Sequence, residues 1–304
     1  MNEKIEPTPM EIIYQVLAPT LVIVRAQPPR TKIPKRVSIP LEKITRDLIE
    51  NKLHEGEQNV KVGSVSVLVE LSLDRSFDAF DLPVFSAVVS IYEQGNFPFT
   101  LETLYRCMTG NNEARVTKQI AEKIMKSLEK MASTRISIDW SEEFKKYKGS
   151  TDTKVRLKGR LIEVRSLEIE KSNKKYEYFQ LLGEPILYTY AKYKRQILTL
   201  DAKYLDVPLR RDPNTISLEY WLLIRIAAIS RNPKMSNHIT FASIYEKANA
   251  DSKIERQRTR NKVFTMLDYW KELHFIDYKT VGKYHAIAIE RPAIERPAIE
   301  RPRE

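Results

Sequence analysis

The stretch from Asn237 to Leu273 constrains the fold of this chain more than any other. Thr240 precedes Phe241-Ala242-Ser243-Ile244-Tyr245-Glu246-Lys247-Ala248, whose apolar positions recur at helical spacing. Asn249-Ala250-Asp251-Ser252 then breaks the pattern, and Asp251 or Ser252 can cap a second helix. That helix is predicted from Lys253 to Leu273. It opens with Lys253, Arg256, Arg258, Arg260 and Lys262 against a single acid, Glu255. It continues with Val263, Phe264, Met266, Leu267, Trp270 and Leu273, a core-facing set. A short helix, a turn and a long helix form a helix-turn-helix. A second helix that is cationic at its start and apolar at its end suits insertion into the DNA major groove. Lys253, Arg256 and Arg260 share one face, and Arg258 and Lys262 form a neighbouring row. The competing reading is an ordinary helix with a solvated charged face.

The surroundings extend the pattern. Ile216–Arg231 reads as an apolar helix containing Trp221, after a basic break from Pro208 to Pro213. Phe275–Tyr278 and Tyr284–Ile289 read as strands flanking Lys279-Thr280-Val281-Gly282-Lys283, a hairpin with a basic tip. Residues 208–289 are therefore expected to form a winged-helix domain, with Lys279 and Lys283 in the wing.

A similar order precedes it. Asp81-Leu82-Pro83 starts a helix that runs to Glu93 and stops at Gly95-Asn96. Thr100 caps Leu101–Met108, which ends at Thr109-Gly110, and a longer helix follows over Ala114–Ala132. Strands are predicted at Arg135–Trp140, Lys154–Glu170 and Tyr176–Leu187, with a polar turn at 171–175. Phe99-Thr100-Leu101-Glu102-Thr103-Leu104-Tyr105 matches Ile239-Thr240-Phe241-Ala242-Ser243-Ile244-Tyr245 in character at every position except Glu102/Ala242. Ile136 and Ile276 keep the same spacing. This reads as a duplicated winged helix, with 73–207 as the first domain; chance likeness of two amphipathic helices is the rival reading. The fold class expected is α+β: two tandem winged-helix domains with an N-terminal extension and a flexible C-terminal tail.

The extension, 1–72, contains an apolar stretch at Ile12–Arg25, a basic Pro-containing arm at Lys32–Arg36 and a strand at Val60–Leu73. The tail, 290–304, repeats Ala-Ile-Glu-Arg-Pro, and its regular prolines forbid a helix. The chain has 304 residues, a net charge of +11, 8 glycines and one cysteine, Cys107. A basic balance favours polyanion partners. One cysteine cannot make an intrachain disulfide, and the start lacks a signal-peptide pattern, so a cytoplasmic location is expected. No stretch is apolar for the roughly 20 residues that a membrane span needs.

Further cations are candidates for backbone contact. Arg115, Lys118, Lys123, Lys126 and Lys130 lie on or beside the first long helix, diluted by Glu113, Glu122 and Glu129; packing or dimerisation is a rival role. Lys154, Arg156, Lys158 and Arg160 alternate on one strand face, a phosphate track or an ordinary solvated face. Enzyme signatures are missing. There is no Gly-x-x-x-x-Gly-Lys loop, and the four histidines are far apart. Asp74, Asp78 and Asp81 suit helix-start capping. Cys107, Tyr92, Tyr105 and Tyr245 sit at apolar helical positions, as core residues would. No catalytic residue, metal or cofactor is expected.

Phe80–Asp139 resembles plasmid- or mobile-element-type replication initiator proteins. The resemblance is carried by Ser90-Ile91-Tyr92-Glu93-Gln94-Gly95-Asn96, Leu104-Tyr105-Arg106-Cys107-Met108-Thr109-Gly110 and Thr134-Arg135-Ile136-Ser137-Ile138-Asp139. Its architecture extends over about 74–289. It implies two winged-helix domains that bind short repeats in double-stranded DNA at a replication origin. It implies recruitment of host helicase-loading proteins and, for many members, repression of their own promoter. The second domain's basic helix reads bases in that family, and Arg256, Arg258, Arg260 and Lys262 occupy that place here. In that family the first domain often serves homodimerisation and backbone contact. The extension and the repeat tail depart from the pattern. A winged-helix transcriptional regulator without a replication role is the alternative reading, and a nickase or primase a third.

Overall fold

The computed structural model describes residues 33–41, 56–62, 65–71, 77–95, 98–139, 141, 156–171, 174–232, 234–282 and 285–290. The apolar stretch 12–25, Asp74, Lys154, Lys283 and the repeat from 291 onward lie outside the described residues. The chain divides into two compact units, 1–202 and 203–304.

In the first unit, helix α1 (Asp81–Glu93) is buried along its whole length from Asp81 to Ile91. A helix apolar on all sides is a central core element. Two amphipathic helices pack on it. In α2 (Leu101–Thr109), Thr100 accepts a bond from the Thr103 amide at 3.1 Å, and Gly110 ends the helix at φ 67°, a conformation that favours glycine. In α3 (Lys118–Ser133), Thr117 caps the start and Ile120, Ile124, Leu128 and Met131 are buried. Its start lies four residues after the expected Ala114, because Thr117 supplies the cap.

The acids expected to cap α1 do not cap it. The N-cap residue of α1 is Phe80, with no side-chain cap bond. Asp81 is fully buried; its Oδ2 lies 2.5 Å from Lys130 Nζ, and its Oδ1 accepts from the Ser127 hydroxyl. Lys130, expected among the surface cations of α3, is thus a buried core charge joining α3 to α1. Burial pushes the Asp81 carboxyl up, against the opposing pull of Lys130.

The strands of this unit differ from expectation in four places, one being that the single strand expected over Lys154–Glu170 is two, Arg156–Arg160 and Val164–Lys171, in different sheets. Segment 33–36 is not an arm. It leads into strand β1 (Arg36–Pro40), whose Val37, Ser38 and Ile39 are fully buried. The Ser38 amide donates to Ser90 Oγ of α1 at 2.9 Å. The single strand expected at 60–73 is a hairpin, β2 (Gly56–Val62) and β3 (Val65–Leu71). Its first strand opens with Gly-Glu-Gln-Asn and so shows no apolar alternation. β4 (Arg135–Asp139) and β5 (Arg156–Arg160) extend this hairpin into a four-stranded antiparallel sheet, ordered β2-β3-β4-β5. β6 (Val164–Lys171) and β7 (Lys174–Leu181) pair separately, closing at Lys171 opposite Lys174. The strand expected to reach Leu187 stops at Leu181, and α4 (Ile186–Tyr193) follows from Pro185, which suits a helix start. β8 (Ile197–Asp201) then pairs with β1.

The second unit contains α5 (Pro213–Arg231), β9 (His238–Thr240), α6 (Phe241–Lys247), α7 (Lys253–Glu272), β10 (Asp277–Val281) and β11 (Ala286–Glu290). Pro213, taken as part of a break, is the first residue of α5; Asp212 caps the helix, accepting from the Thr215 amide at 2.9 Å. Arg211 of the same segment is turned inward onto Glu219 and the Leu205 carbonyl. The sheet order is β10-β11-β9. Val263, Met266, Leu267 and Trp270 of α7 are buried, and Trp270 Nε1 donates to the Tyr204 carbonyl at 2.8 Å. Each such side chain contributes about 1.5–3 kcal/mol by burial, so the C-terminal half of α7 is firmly held.

Both units therefore share one order: helix, strand segment, helix, helix, then a hairpin whose second strand pairs back. In the first unit the strand segment shrinks to one bridge, Phe99 opposite Phe179 of β7. In the second, Ile239 pairs with Ile287 of β11. Phe99 and Ile239 are the two residues that head the matched sequence stretches. The match fails after the long helix. β4 holds Ile136 but joins the four-stranded sheet, and β6–β7 is the counterpart of β10–β11. Among the described residues, no helix is long and apolar enough to cross a membrane.

Candidate nucleic-acid interface

The N-terminal half of α7 stands out from the second unit's core. Ala250 N donates to the Tyr245 carbonyl at 2.9 Å, and Asn249 turns the chain at φ 49°, which asparagine tolerates. Ser252, one of the two expected caps, starts α7 with a reciprocal capping box. The Glu255 amide donates to Ser252 Oγ at 3.2 Å, and the Ser252 amide donates to Glu255 Oε2 at 2.9 Å. Those bonds, the Ser252 amide first, hold the Glu255 carboxyl below its ordinary range. The one acid among the opening cations is thereby folded back onto the backbone.

The five cations of α7 have different surroundings. Lys253 and Arg258 are exposed, and neither makes a hydrogen bond or ion pair among the described residues. Arg256 is turned back toward the turn: its Nε donates to the Ala250 carbonyl at 3.2 Å, and its guanidinium lies 5.7 Å from the Tyr245 ring centre. Arg260 is half-buried beside the core face. Lys262 reaches α5, with Nζ 3.0 Å from Asp212 Oδ2 and 2.6 Å from Thr215 Oγ1. It therefore ties α7 to the cap of α5. In the β10–β11 hairpin, Lys279 pairs with Glu290 on the adjacent strand, and Val281 and Gly282 stand exposed at the tip.

The outward crest of α7 is not made of cations. Ile254, Gln257 and Asn261 lie opposite Thr259, Val263, Met266 and Trp270, and all three are exposed. Ile254 keeps 64% of its surface open. Neither the Gln257 nor the Asn261 amide has a hydrogen-bond partner among the described residues. Attention to charge passed over these three; their i, i+3, i+7 spacing opposite the apolar stripe was the signal.

In the first unit the candidate cations are more scattered. Arg115 and Lys126 are exposed. Lys118 lies 4.0 Å from Glu122, and Lys123 lies 3.4 Å from Asp78 and 4.9 Å from the Phe80 ring centre. Glu122 and Glu129 share the exposed side of α3, so that side presents both signs. On β5, Arg156, Lys158 and Arg160 are exposed while Leu157 and Gly159 between them are half-covered. Asp139 engages Arg156 at 3.0 Å. Bonds from Ser141, and then Arg156, hold its carboxyl at about 2. Arg135 of β4, exposed and opposite Arg160, adds a cation to this face. Its alternation with Ile136 and Ile138 already placed it on the solvent side.

No protein-family model and no curated protein matches the chain. Among solved structures, a selenomethionine crystal structure of domains 2 and 3 of RctB is 10% identical at a TM-score of 0.42; the match covers 91% of this chain and 99% of that one. A second crystal structure of RctB domains 2–3 is 10% identical at a TM-score of 0.39, covering 79% of this chain and 94% of the other.

Proposed function

We propose that this chain is a non-catalytic, sequence-specific double-stranded DNA-binding protein built from two tandem winged helices. Its role would be to initiate replication of a plasmid or mobile element from repeated origin sites. The observation that carries the DNA-binding reading is the N-terminal half of α7. It projects from a well-packed core, exposes Lys253 and Arg258, and has its only early acid turned back onto the helix-start backbone by the capping box. In the groove, phosphate contacts fix register and base contacts select sequence. Lys279 and the described cations of β4–β5 are backbone contacts in this reading, as are Arg115 and Lys118; Arg256 and Lys262 brace the helix instead. The initiator role follows from the resemblance of Phe80–Asp139 and from the repeated helix–strand–helix–helix–hairpin order.

The test has two stages. The purified full chain is first tested for retention of duplex DNA that flanks its gene, with footprinting to locate repeats. A plasmid carrying gene and footprinted site is then tested for autonomous replication. Replication that depends on both supports initiation. Repression of the adjacent promoter with no replication would assign the protein to transcriptional control instead.

A further inference from the structure

The five basic residues at the start of α7 draw attention to charge, yet charge is not what the helix presents outermost. From its structure we infer that Ile254, Gln257 and Asn261 read base edges, and that the element they read is a short A·T-containing step in the major groove. This inference rests on the DNA-binding reading of the same helix.

Thr259, Val263, Met266, Leu267 and Trp270 fix the inward face of α7. Residues three or four apart share a face, so Ile254, Gln257 and Asn261 form one row on the opposite side, with Thr265 continuing it. Lys253 and Arg260 flank the row on one side and Arg258 on the other. That is the arrangement of a helix lying in a groove, with uncharged side chains toward the floor and cations toward the phosphate walls. Arg256 is held toward the turn by the Ala250 carbonyl and the Tyr245 ring, so it does not stand in the row.

The chemistry then selects the base pair. A carboxamide donates and accepts in one plane and pairs bidentately with N6 and N7 of adenine. Gln257 and Asn261 have such amides, without partners among the described residues. An aliphatic side chain favours the thymine methyl group. Ile254, 64% exposed, is costly in water but suited to that contact. From Ile254 to Asn261 the helix advances about 10 Å, or about three base pairs at 3.4 Å each. The expected element is therefore about three base pairs long, with A·T at two of them.

The test uses the full chain, a pool of random-sequence duplexes, and the variants Gln257→Ala, Asn261→Ala and Arg256→Ala. All three sites are exposed, and melting curves verify folding. The full chain is expected to enrich a site with A·T pairs at two nearby positions. Gln257→Ala and Asn261→Ala should each lose the preference at one of them, with affinity for the selected duplex falling roughly 5- to 150-fold and the salt dependence unchanged. Replacing the contacted adenine with 7-deazaadenine should weaken binding by the full chain but not by the variant that lacks its amide. Retention of duplex with an enriched site unchanged in both amide variants would overturn the assignment. So would a loss of selectivity confined to Arg256→Ala. Failure of the full chain to retain any duplex would overturn the DNA-binding reading along with it.

Discussion

Lys253 and Arg258 are the two exposed cations of α7 whose charges are not engaged in a bond or ion pair among the described residues, and removing both gives a quantitative expectation. Each cation that neutralises a DNA phosphate contributes about 0.9 to the slope of log affinity against log salt. The double variant Lys253→Ala/Arg258→Ala should therefore flatten the slope by about 1.8. Between about 50 and about 200 mM salt, a fourfold change, wild type should lose about 12-fold more affinity than the double variant. Fluorescence anisotropy with a labelled duplex across that range measures both slopes. Unlike loss of a base contact, loss of these charges should weaken binding to all duplexes alike. An unchanged slope in the double variant would show that this end of α7 does not meet the phosphate backbone.

The remaining expectations separate binding residues from structural ones. Lys130→Met leaves Asp81 buried without its partner and should destabilise the first unit by about 3–5 kcal/mol, read by calorimetry; a loss below about 1 kcal/mol would mean that the pair is not formed in solution. Lys262→Ala should lower the stability of the second unit while leaving the salt slope intact, since its ammonium is committed to Asp212 and Thr215. Lys279→Ala should flatten the salt slope by less than Lys253→Ala does, because Glu290 already opposes its charge. Glu219 is fully buried beside Arg211, and burial raises its carboxyl from an ordinary 4.5 to about 8. The folded state therefore binds this proton more tightly than the unfolded state. The stability it contributes is complete below about 4.5 and is lost as pH rises through about 8. Glu219→Gln should remove that pH dependence from the second unit's unfolding, and a slope identical to wild type would refute the assignment.

Much of the second unit was legible because its signals are local. Ser252 with Glu255 three residues on is a capping box, and the run from Val263 to Trp270 states its own apolar stripe. Thr240 and Thr100 announce two caps in matched surroundings, and the residues before them, Ile239 and Phe99, do head equivalent pairings. What could not be read depends on distant partners. Lys130 looks like any helix cation until Asp81, 49 residues away, is folded against it. Arg256 and Lys262 look as available as Arg258, and only the Ala250 carbonyl and the α5 cap distinguish them. Ile186-Leu187-Tyr188-Thr189-Tyr190 carries strong strand propensity, and tertiary packing makes it helical. The strand expected over Lys154–Glu170 divides into β5 and β6 because no local feature reveals that β4 pairs with its first half.

Entry of α7 into the major groove can be tested by chemical protection of a bound duplex. Dimethyl sulfate methylates guanine N7 in the major groove and adenine N3 in the minor groove, so one experiment reports both. On a duplex selected by the full chain, protection of guanine N7 beside the A·T step is expected with wild type, along with protection that weakens in Lys253→Ala/Arg258→Ala. Protection confined to adenine N3, or N7 reactivity equal to that of naked DNA at every position, would place α7 outside the major groove.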